Sequence, residues 1–270
     1  MMCNVLNVSR SGWYASHSRM RPTAKDNRDD ELLTRIRETH SSSREAYGSP
    51  RVHAQLLRDG VDIGRDRVSR LMKVAGLRGR VRRRFKKTTD SKHKRRIADN
   101  ELHREFDVEM PDSVWCADIT YIPTASGFVH LAAIIDLATR MIVGWSMATH
   151  MRTELIESAF MNALSWRTPA EHLEHHSDRG SQYASKSYQQ LLSRHQVRCS
   201  MSRAGDCWDN AVIESFSGTY KQEWANHQRW TGLVDSRAAT HDYIEVFYNR
   251  ERLHSPLDYR TPAEVDEAMA

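Results

Sequence analysis

The stretch VWCADITYI, residues 114–122, decides the fold class of this 270-residue chain. Its β-branched and aromatic residues predict a strand, and strand geometry turns successive side chains to opposite faces. Asp118 therefore points from a rigid element and has apolar neighbours. One face holds Trp115, Ala117, Ile119 and Tyr121, and the other holds Val114, Cys116, Asp118 and Thr120.

A second acidic residue, Asp178, lies in HHSDRGSQY at residues 175–183. The overlapping stretch HLEHHSD predicts another short strand. Gly180 and its polar neighbours predict that this strand ends just beyond Asp178. Asp178 is therefore expected at a strand end.

A third acidic residue, Glu214, lies in CWDNAVIESF at residues 207–216. The longer stretch NAVIESFSGTYKQEW predicts a helix, which Asp209 or Asn210 can cap. Glu214 lies beside the helix face expected to be buried, and Lys221 lies two turns along the same face as Glu214. The expected buried stripe is formed by Ile213, Phe216, Tyr220 and Trp224.

Three carboxylates on rigid elements are typical of a metal-dependent site that processes nucleic acid. Mg²⁺ and Mn²⁺ prefer oxygen ligands, and Mg²⁺ usually binds through one or two carboxylates plus substrate phosphates. In a two-metal site the ions clamp the attacking and leaving oxygens at phosphorus. The strand position suits Asp118 for bridging two ions, which leaves Asp178 and Glu214 to hold one ion each. The alternative is that each acid is a helix cap or a solvated surface charge.

The rest of the central region predicts an α/β fold. The β-rich stretches GFVHLAAIID and MIVGWSMA follow the Asp118 strand as a meander, and helices then alternate with strands. This order predicts a mixed sheet flanked by helices, with strand ends and one helix converging on a cleft. Asp136 also ends an apolar strand but is interpreted as a turn residue. The later elements are a helix from Glu154 to Trp166, a helix near Lys186 to His195, and the strand VRCSM.

Residues 26–77 predict a helix-turn-helix-like module. One helix starts at Ser49 and Pro50, and a second follows a short turn. Residues 1–25 are interpreted as an N-terminal segment and linker, with polar linker sequence over residues 16–30. The helix pair either contacts DNA or is a hairpin that binds nothing. Upstream residues expected to pack against it are Leu32, Leu33 and Ile36. Its basic residues are Arg51, Arg58, Arg65, Arg67, Arg70 and Lys73.

A basic linker is predicted for residues 78–100. From Arg78 to Arg96 the chain holds eleven Lys or Arg and one Asp, a local net charge of +10, whereas the whole chain carries +5. Such a run neutralises phosphates and gives sequence-independent, salt-sensitive affinity for DNA. The alternative is a solvated, flexible tether. The candidate DNA contacts in this run are Arg82, Arg83, Arg84, Lys86 and Lys87.

Composition indicates a modular globular protein. Hydrophobic residues make up 39% of the chain, enough for a core. No apolar stretch predicts a membrane span or a secretory signal. The four cysteines are widely spaced, which predicts reduced thiols, a cytoplasmic protein and no zinc finger. Three clustered histidines are interpreted as strand residues near the site rather than as zinc ligands: His172, His175 and His176.

Residues 231–270 are interpreted as a helical extension of a catalytic core at residues 101–230. The helical spacing of apolar residues indicates packing on that core. The alternative role of this region is phosphate contact through Arg250, Arg252 and His254. The apolar residues concerned are Tyr243, Ile244, Phe247 and Tyr248.

These motifs together resemble a known family. From MCNVLNVSRSGWY to YIEVFYNRERLHSPLDYRTPAE, nearly the whole chain resembles the second-frame product of the insertion-sequence-three family of bacterial transposases. The motifs WCADITYI, GWSMATHM, HHSDRGSQY, SMSRAGDCWDNAVIESF and FYNRERLHSPL occur in the family's order. The resemblance implies a ribonuclease-H-like core similar to retroviral integrase. It also implies that Asp118, Asp178 and Glu214 are the catalytic triad and that Lys221 contacts DNA.

The activity implied by the resemblance is transposition of an insertion element, with Mg²⁺ or Mn²⁺ as cofactor. Cleavage at the element end would free a 3′ hydroxyl, which would then attack a phosphodiester without a protein nucleophile. Expected partners are DNA, both element ends and target, and further copies of the chain, because two ends must be held together. An upstream-frame DNA-binding protein is a further expected partner.

Two other functions are compatible with the residues. A nuclease of the same architecture would hydrolyse DNA without joining it, and the full motif series with Lys221 weighs against this. A non-catalytic DNA-binding regulator, or an inactive relic of a transposase, would use the helical module and basic linker alone. The intact acidic triad weighs against that second alternative.

Overall fold

The computed structural model describes residues 9–18, 24–80, 97–169, 171–203 and 207–270. The chain divides into two compact units, Met1–Arg80 and Val81–Ala270. Within the described ranges no helix is long and apolar enough to cross a membrane.

The N-terminal unit is helical. Its helices are α1 (Arg10–Ser18), α2 (Ala24–Ser42), α3 (Ser49–Arg58) and α4 (Arg65–Val74). Helix α2 buries Leu32 and Ile36, while Leu33 is half-buried. The expected packing of an upstream helix on the helix pair is therefore confirmed. The other buried apolar residues of this core are Val52, Leu56, Val68, Leu71 and Met72.

The predicted polar linker over residues 16–30 is wrong at both ends, because α1 extends to Ser18 and α2 begins at Ala24. Asp29 on this first part of α2 accepts hydrogen bonds from Arg67 Nη2 at 2.5 Å and from Arg70 Nη2 at 2.9 Å. Both arginines belong to α4. Charged contacts to another element, rather than a buried apolar stripe, hold this end of the helix, and a polar sequence does not reveal such contacts.

The larger unit is built on a mixed five-stranded sheet. Its strands are β1 (Val114–Thr124), β2 (Gly127–Asp136), β3 (Ile142–Ala148), β4 (Glu174–Ser177) and β5 (Arg198–Met201). The strand order is β3-β2-β1-β4-β5. The first three strands are antiparallel neighbours, whereas β4 pairs in parallel with both β1 and β5. This is the ribonuclease-H-like mixed sheet that was expected, with the Asp118 strand at its centre.

Helices flank the sheet. They are α5 (Thr153–Leu164), α6 (Lys186–Arg194), α7 (Ala211–Glu223), α8 (Leu233–His241) and α9 (Pro262–Met269). Trp115 and Ala117 of β1 pack in one core with Phe160 of α5, which confirms the predicted alternation of β1. Helix α5 lies close to β3, since a Cβ atom on Gly144 would stand 2.4 Å from the Ala159 carbonyl oxygen.

Asp136 has the turn role that was predicted. Its carboxylate accepts hydrogen bonds from the backbone N–H groups of Asp112 at 2.8 Å and Thr139 at 2.9 Å. The Thr139 hydroxyl donates a third bond at 2.8 Å. The carboxylate thus fixes the turn after β2 through Thr139 and ties it to the segment before β1 through Asp112.

The C-terminal region packs on the core. Helix α8 continues as a π-helical segment, Asp242–Glu251, which buries Tyr243, Ile244, Phe247 and Tyr248. The alternative that Arg252 contacts phosphates is wrong: Arg252 is buried and donates to both carboxylate oxygens of Glu223 at 2.6 and 2.7 Å. His254 is buried as well. A buried guanidinium needs a carboxylate partner, and Glu223 at the end of α7 supplies it.

Candidate active site

The cleft opens where β1 and β4 separate. The last pair between these parallel strands joins Ala117 to Ser177. Asp118 and Asp178 are the next residues along the chain from this pair. Asp118 stays within β1, where it pairs with Ala133 of β2, and Asp178 lies just past the end of β4. Adjacent strands lie about 4.8 Å apart. The sequence predicted each acid at a strand position, and the strand pairing brings them together.

Backbone contacts hold the Asp178 carboxylate. Gly180 donates its N–H to Asp178 Oδ1 at 2.8 Å. A Cβ atom at position 180 would stand only 2.9 Å from that same oxygen. The sequence identified Gly180 as a residue that ends a strand. The structure adds that its missing side chain lets the backbone approach the carboxylate.

Two side chains tie the Glu214 helix to β1. Asn210 donates its Nδ2 group to the Ala117 carbonyl oxygen at 3.0 Å. Ser217 donates its hydroxyl to Asp118 Oδ2 at 2.9 Å. Ser217 follows Glu214 by three residues, so the two share one helix face. The sequence analysis did not identify Ser217, although this spacing was the available signal.

The predicted capping of α7 by Asp209 or Asn210 is wrong. Asn210 stands at the N-cap position but makes no side-chain capping bond. Asp209 is fully buried and accepts hydrogen bonds from Arg203 Nη2 at 2.9 Å and Arg104 Nε at 2.7 Å. The bond from Arg203 is the main reason that the pKa of Asp209 lies well below its usual range. Tertiary charge pairing replaces capping because a buried carboxylate needs charged or hydrogen-bonding partners.

The acids of the cleft act on one another electrostatically. Burial raises the pKa of Asp118 to about 7, and the negative charges of Asp178 and Glu214 add to that rise. The hydrogen bond from Ser217 acts in the opposite direction. Proximity of like charges disfavours the ionised form. The three predicted acids therefore belong to one electrostatic cluster.

Lys221 lies in the same cleft. Burial lowers its pKa, and the negative charge of Asp118 acts in the opposite direction. Its ammonium lies 4.2 Å from the centre of the Tyr121 ring, within cation–π range. Phe128 packs edge-on against Tyr121 with ring centres 5.3 Å apart. Tyr121 was not identified as a partner of Lys221 because the two residues are far apart in the sequence.

The carboxylate set fits a divalent cation by its chemistry. A cation would offset the burial and the like-charge repulsion that together raise the pKa of Asp118. Carboxylate oxygens are preferred ligands of Mg²⁺ and Mn²⁺. In the part of the chain that the structure describes, no three His, Cys, Asp or Glu side chains converge closely enough to hold one ion. Mg²⁺ needs only one or two protein carboxylates, with waters and phosphates beside them. The two acids whose charges act on Asp118 are Asp178 and Glu214, so the candidate pairs are Asp118 with Asp178 and Asp118 with Glu214.

The neighbouring histidines are neutral structural residues. Burial lowers the pKa of His175 to about 3 and that of His176 to about 4. Both lie on β4, as expected, and both are fully buried. Among the cysteines whose side chains are described, Cys116 and Cys199 are free thiols.

The predicted DNA contacts of the N-terminal unit lie on its last two helices. Arg65 is exposed at the start of α4, and Arg51 on α3 is half-buried. Arg67 and Arg70 bind Asp29, and Arg70 keeps 53% of its side-chain surface exposed. Five predicted contacts in the basic linker lie outside the described residues: Arg82, Arg83, Arg84, Lys86 and Lys87.

Family comparison matches both units of the chain. An integrase core domain matches residues 108–207, and a second integrase core domain matches residues 195–262. The first match spans the five strands, and the second includes α7. An HTH-like domain matches residues 27–85.

Three relatives are similar over nearly the whole chain. The uncharacterized 31 kDa protein of insertion element IS600 from Shigella sonnei is 40% identical over 262 residues, covering 97% of this chain and 96% of that protein. The transposase for insertion sequence element IS629 from Shigella sonnei is 36% identical over 271 residues, covering 99% and 90%. Transposase InsF for insertion sequence IS3A from Escherichia coli (strain K12) is 35% identical over 255 residues, covering 94% and 88%. With this identity and coverage, the chain belongs to the insertion-sequence-three family of transposases.

Proposed function

We propose that this chain catalyses DNA strand cleavage and strand transfer at the ends of an insertion element, with Mg²⁺ or Mn²⁺ as cofactor. The observation that supports the proposal is that Asp118 and Asp178 directly follow the last residue pair between the parallel strands β1 and β4. Ser217 ties the Glu214 helix to the same point through Asp118. We therefore expect the three carboxylates to face one cleft, from β1, from the end of β4 and from α7.

The three acids would share the binding of the cofactor. Asp118 interacts electrostatically with both other acids and is the proposed bridging ligand, with Asp178 and Glu214 each completing one pair. A divalent cation bound there would supply Lewis-acid stabilisation of the charge that develops on the phosphodiester oxygens. Gly180 and Ser217 fix the orientation of the carboxylates through the bonds described above.

Lys221 is proposed to contact a DNA phosphate beside the scissile bond. Its ammonium is held against the Tyr121 ring and lies near Asp118. A lysine acts on phosphate as a compact point charge, and its position therefore decides how strongly it binds. Contact with the DNA backbone positions the strand without reading its sequence.

The N-terminal part is proposed to bind DNA as well. Residues 26–77 would be the DNA-binding module, and residues 78–100 the basic linker to the catalytic core at 101–230 with its extension at 231–270. Salt-sensitive phosphate contacts account for such binding. The proposed contacts are Arg51, Arg65, Arg67, Arg70, Arg82, Arg83, Arg84, Lys86 and Lys87.

The reaction requires two element ends and a target in one assembly. We therefore propose that the chain works as a homo-oligomer, and that an upstream-frame DNA-binding protein contributes to end recognition. Because the substrate is bacterial DNA, the activity belongs in the cytoplasm.

The test is a strand-joining assay on labelled duplexes that carry the ends of the element encoding the chain. Wild type, Asp118→Asn and Glu214→Gln are compared in Mg²⁺ and Mn²⁺, with and without the upstream-frame protein. Glu267→Gln, an exposed acid on α9, is the matched control. We expect cleaved and joined products from wild type and Glu267→Gln, and a loss of at least a hundredfold in the two site variants.

Each other outcome identifies an alternative. Cleavage without joining would favour a nuclease of the same architecture. DNA that is bound but never cut by the wild type, with or without the upstream-frame protein, would favour a non-catalytic regulator or an inactive relic.

A further inference from the structure

Tyr183 carries a buried hydroxyl that no described residue satisfies. The side chain is 2% exposed, and its hydroxyl oxygen has no hydrogen-bond partner among the described residues. Leaving a buried polar group without a partner is energetically unfavourable. Such groups are rare, and one explanation is a role in a functional site.

The Tyr183 ring packs beside Gly180, whose N–H binds Asp178, so the side chain lies near the proposed catalytic carboxylates. The negative charges of Asp118 and Asp178 both contribute to a pKa of Tyr183 well above its usual range, after the larger effect of burial. Neighbouring residues hold the Tyr183 ring in place. Its Cδ2 atom would lie 3.5 Å from a Cβ atom on Gly180, and its centre lies 5.8 Å from that of Tyr188. The packed Tyr183 ring therefore holds a hydroxyl donor without a described partner near Asp118 and Asp178.

We propose that Tyr183 is a positioning residue of the catalytic centre, whose hydroxyl donates a hydrogen bond to the Asp118–Asp178 carboxylate pair in the cation-bound site. This inference rests on the proposed function, because it assumes that the pair binds a divalent cation. The carboxylates accept this hydrogen bond, and the proton stays on the Tyr183 hydroxyl. A donor held on a buried ring fixes carboxylate orientation at little entropic cost.

Tyr188 provides a matched control. It is a tyrosine of the same aromatic cluster and is 1% exposed. Its hydroxyl has a partner, His175 Nε2, at 2.9 Å. Removing the Tyr188 hydroxyl leaves a buried imidazole nitrogen without its bond, whereas removing the Tyr183 hydroxyl leaves no described group without one. The two Tyr→Phe changes remove the same atom and keep the same ring.

The experiment measures Mn²⁺ affinity by electron paramagnetic resonance titration and thermal stability in EDTA for the full chain. For Tyr183→Phe we expect a Kd for Mn²⁺ about tenfold weaker, since a hydrogen bond to a charged group contributes about 1.5 kcal/mol. Its melting temperature in EDTA should equal or exceed that of wild type. For Tyr188→Phe we expect wild-type Mn²⁺ affinity and a lower melting temperature.

The outcomes separate this inference from the proposed function. Mn²⁺ binding that is lost in Asp118→Asn but unchanged in Tyr183→Phe would overturn the role of Tyr183 alone. A wild-type chain that binds no Mn²⁺ would overturn both. Equal weakening of Mn²⁺ binding in the two Tyr→Phe variants would assign the effect to general packing and would also overturn the inference.

Discussion

Asp118→Asn should stabilise the metal-free protein while abolishing its activity. The pKa of Asp118 rises from an ordinary value of 3.8 to about 7 in the folded state. Each pKa unit corresponds to about 1.4 kcal/mol, so the ionised carboxylate lowers the free energy of unfolding by at most about 4 kcal/mol. Asp118 is only half-buried by its exposed surface. Because solvent screens part of the effect, we expect about 2 kcal/mol.

The sign of the pH dependence follows from the raised pKa. Below about pH 4 the carboxyl is protonated in both folded and unfolded chains, and Asp118 costs no stability. Between about pH 4 and 7 the Asp118 carboxyl is ionised in the unfolded chain but still protonated in the folded one. Stability therefore falls as pH rises across this range, and the loss is complete above the folded pKa. The asparagine variant lacks this loss. Its Oδ1 atom can still accept the Ser217 hydroxyl, so the packing is retained.

The assay is thermal unfolding in EDTA at pH 5 and pH 8. At pH 8 the melting temperature of the variant should exceed that of wild type by about 4–8 °C, as expected for 2 kcal/mol in a domain of this size. At pH 5 the gain should be less than half as large. Asp99→Asn, an exposed acid in the same unit, is the control and should change little. Mg²⁺ should stabilise the wild type and not the variant.

Two results would refute this reasoning. One is a variant that is less stable than wild type at pH 8 without metal. The other is a gain of equal size at both pH values, because that gain could not come from ionisation of Asp118.

Three further predictions concern the elements that support the site. Gly180→Ala places a methyl group 2.9 Å from Asp178 Oδ1, so strand cleavage should fall at least tenfold with little change in melting temperature; wild-type cleavage rates would contradict the close-approach argument. Asp209→Asn removes the charge paired with Arg203 and Arg104. Because these arginine side chains are 55% and 40% exposed, solvent screens the pairs and the free energy of unfolding should fall by about 1 kcal/mol, measured by urea denaturation; no measurable loss would show that the pairs are dispensable. The folded-state pKa of His176 is about 4, so the buried imidazole stays neutral until the pH falls to about 4. The stability associated with this neutral form, up to about 3 kcal/mol, is complete above about pH 6.5 and is lost as pH falls towards 4. His176→Gln should therefore show a shallower loss of stability on acidification in urea titrations, and parallel pH profiles would exclude that role.

Much of the catalytic unit was predictable from local sequence. The alternation in VWCADITYI predicted both the strand and the face that carries Asp118. The helical period after Asn210 predicted the Glu214 helix and three residues of its buried stripe, Ile213, Phe216 and Tyr220, whereas the fourth, Trp224, is half-buried at the C-cap. These predictions succeeded because one-sided burial imposes a period of 2.0 on strands and 3.6 on helices. Family motifs then connected the acids to a type of chemistry.

The supporting contacts were not predictable in this way. Asp209 and Asn210 are residue types that commonly cap helices, yet Asp209 binds two arginines and Asn210 binds the Ala117 carbonyl. Arg252 is a residue type that commonly binds phosphate, yet it is buried against Glu223. A polar side chain takes whichever partner the fold brings near, and partners distant in sequence leave no local pattern.

The sequence by itself determined which elements form, which three acids stand on them, and to which family the chain belongs. Only the tertiary structure decided that Asp118 and Asp178 meet where β1 and β4 separate, that Ser217 binds the first of these acids, and that the Tyr183 hydroxyl is left without a described partner beside them. The physical reason is that secondary structure follows from periodic burial along a short stretch. The geometry of a site depends instead on pairings between stretches that sequence order does not encode.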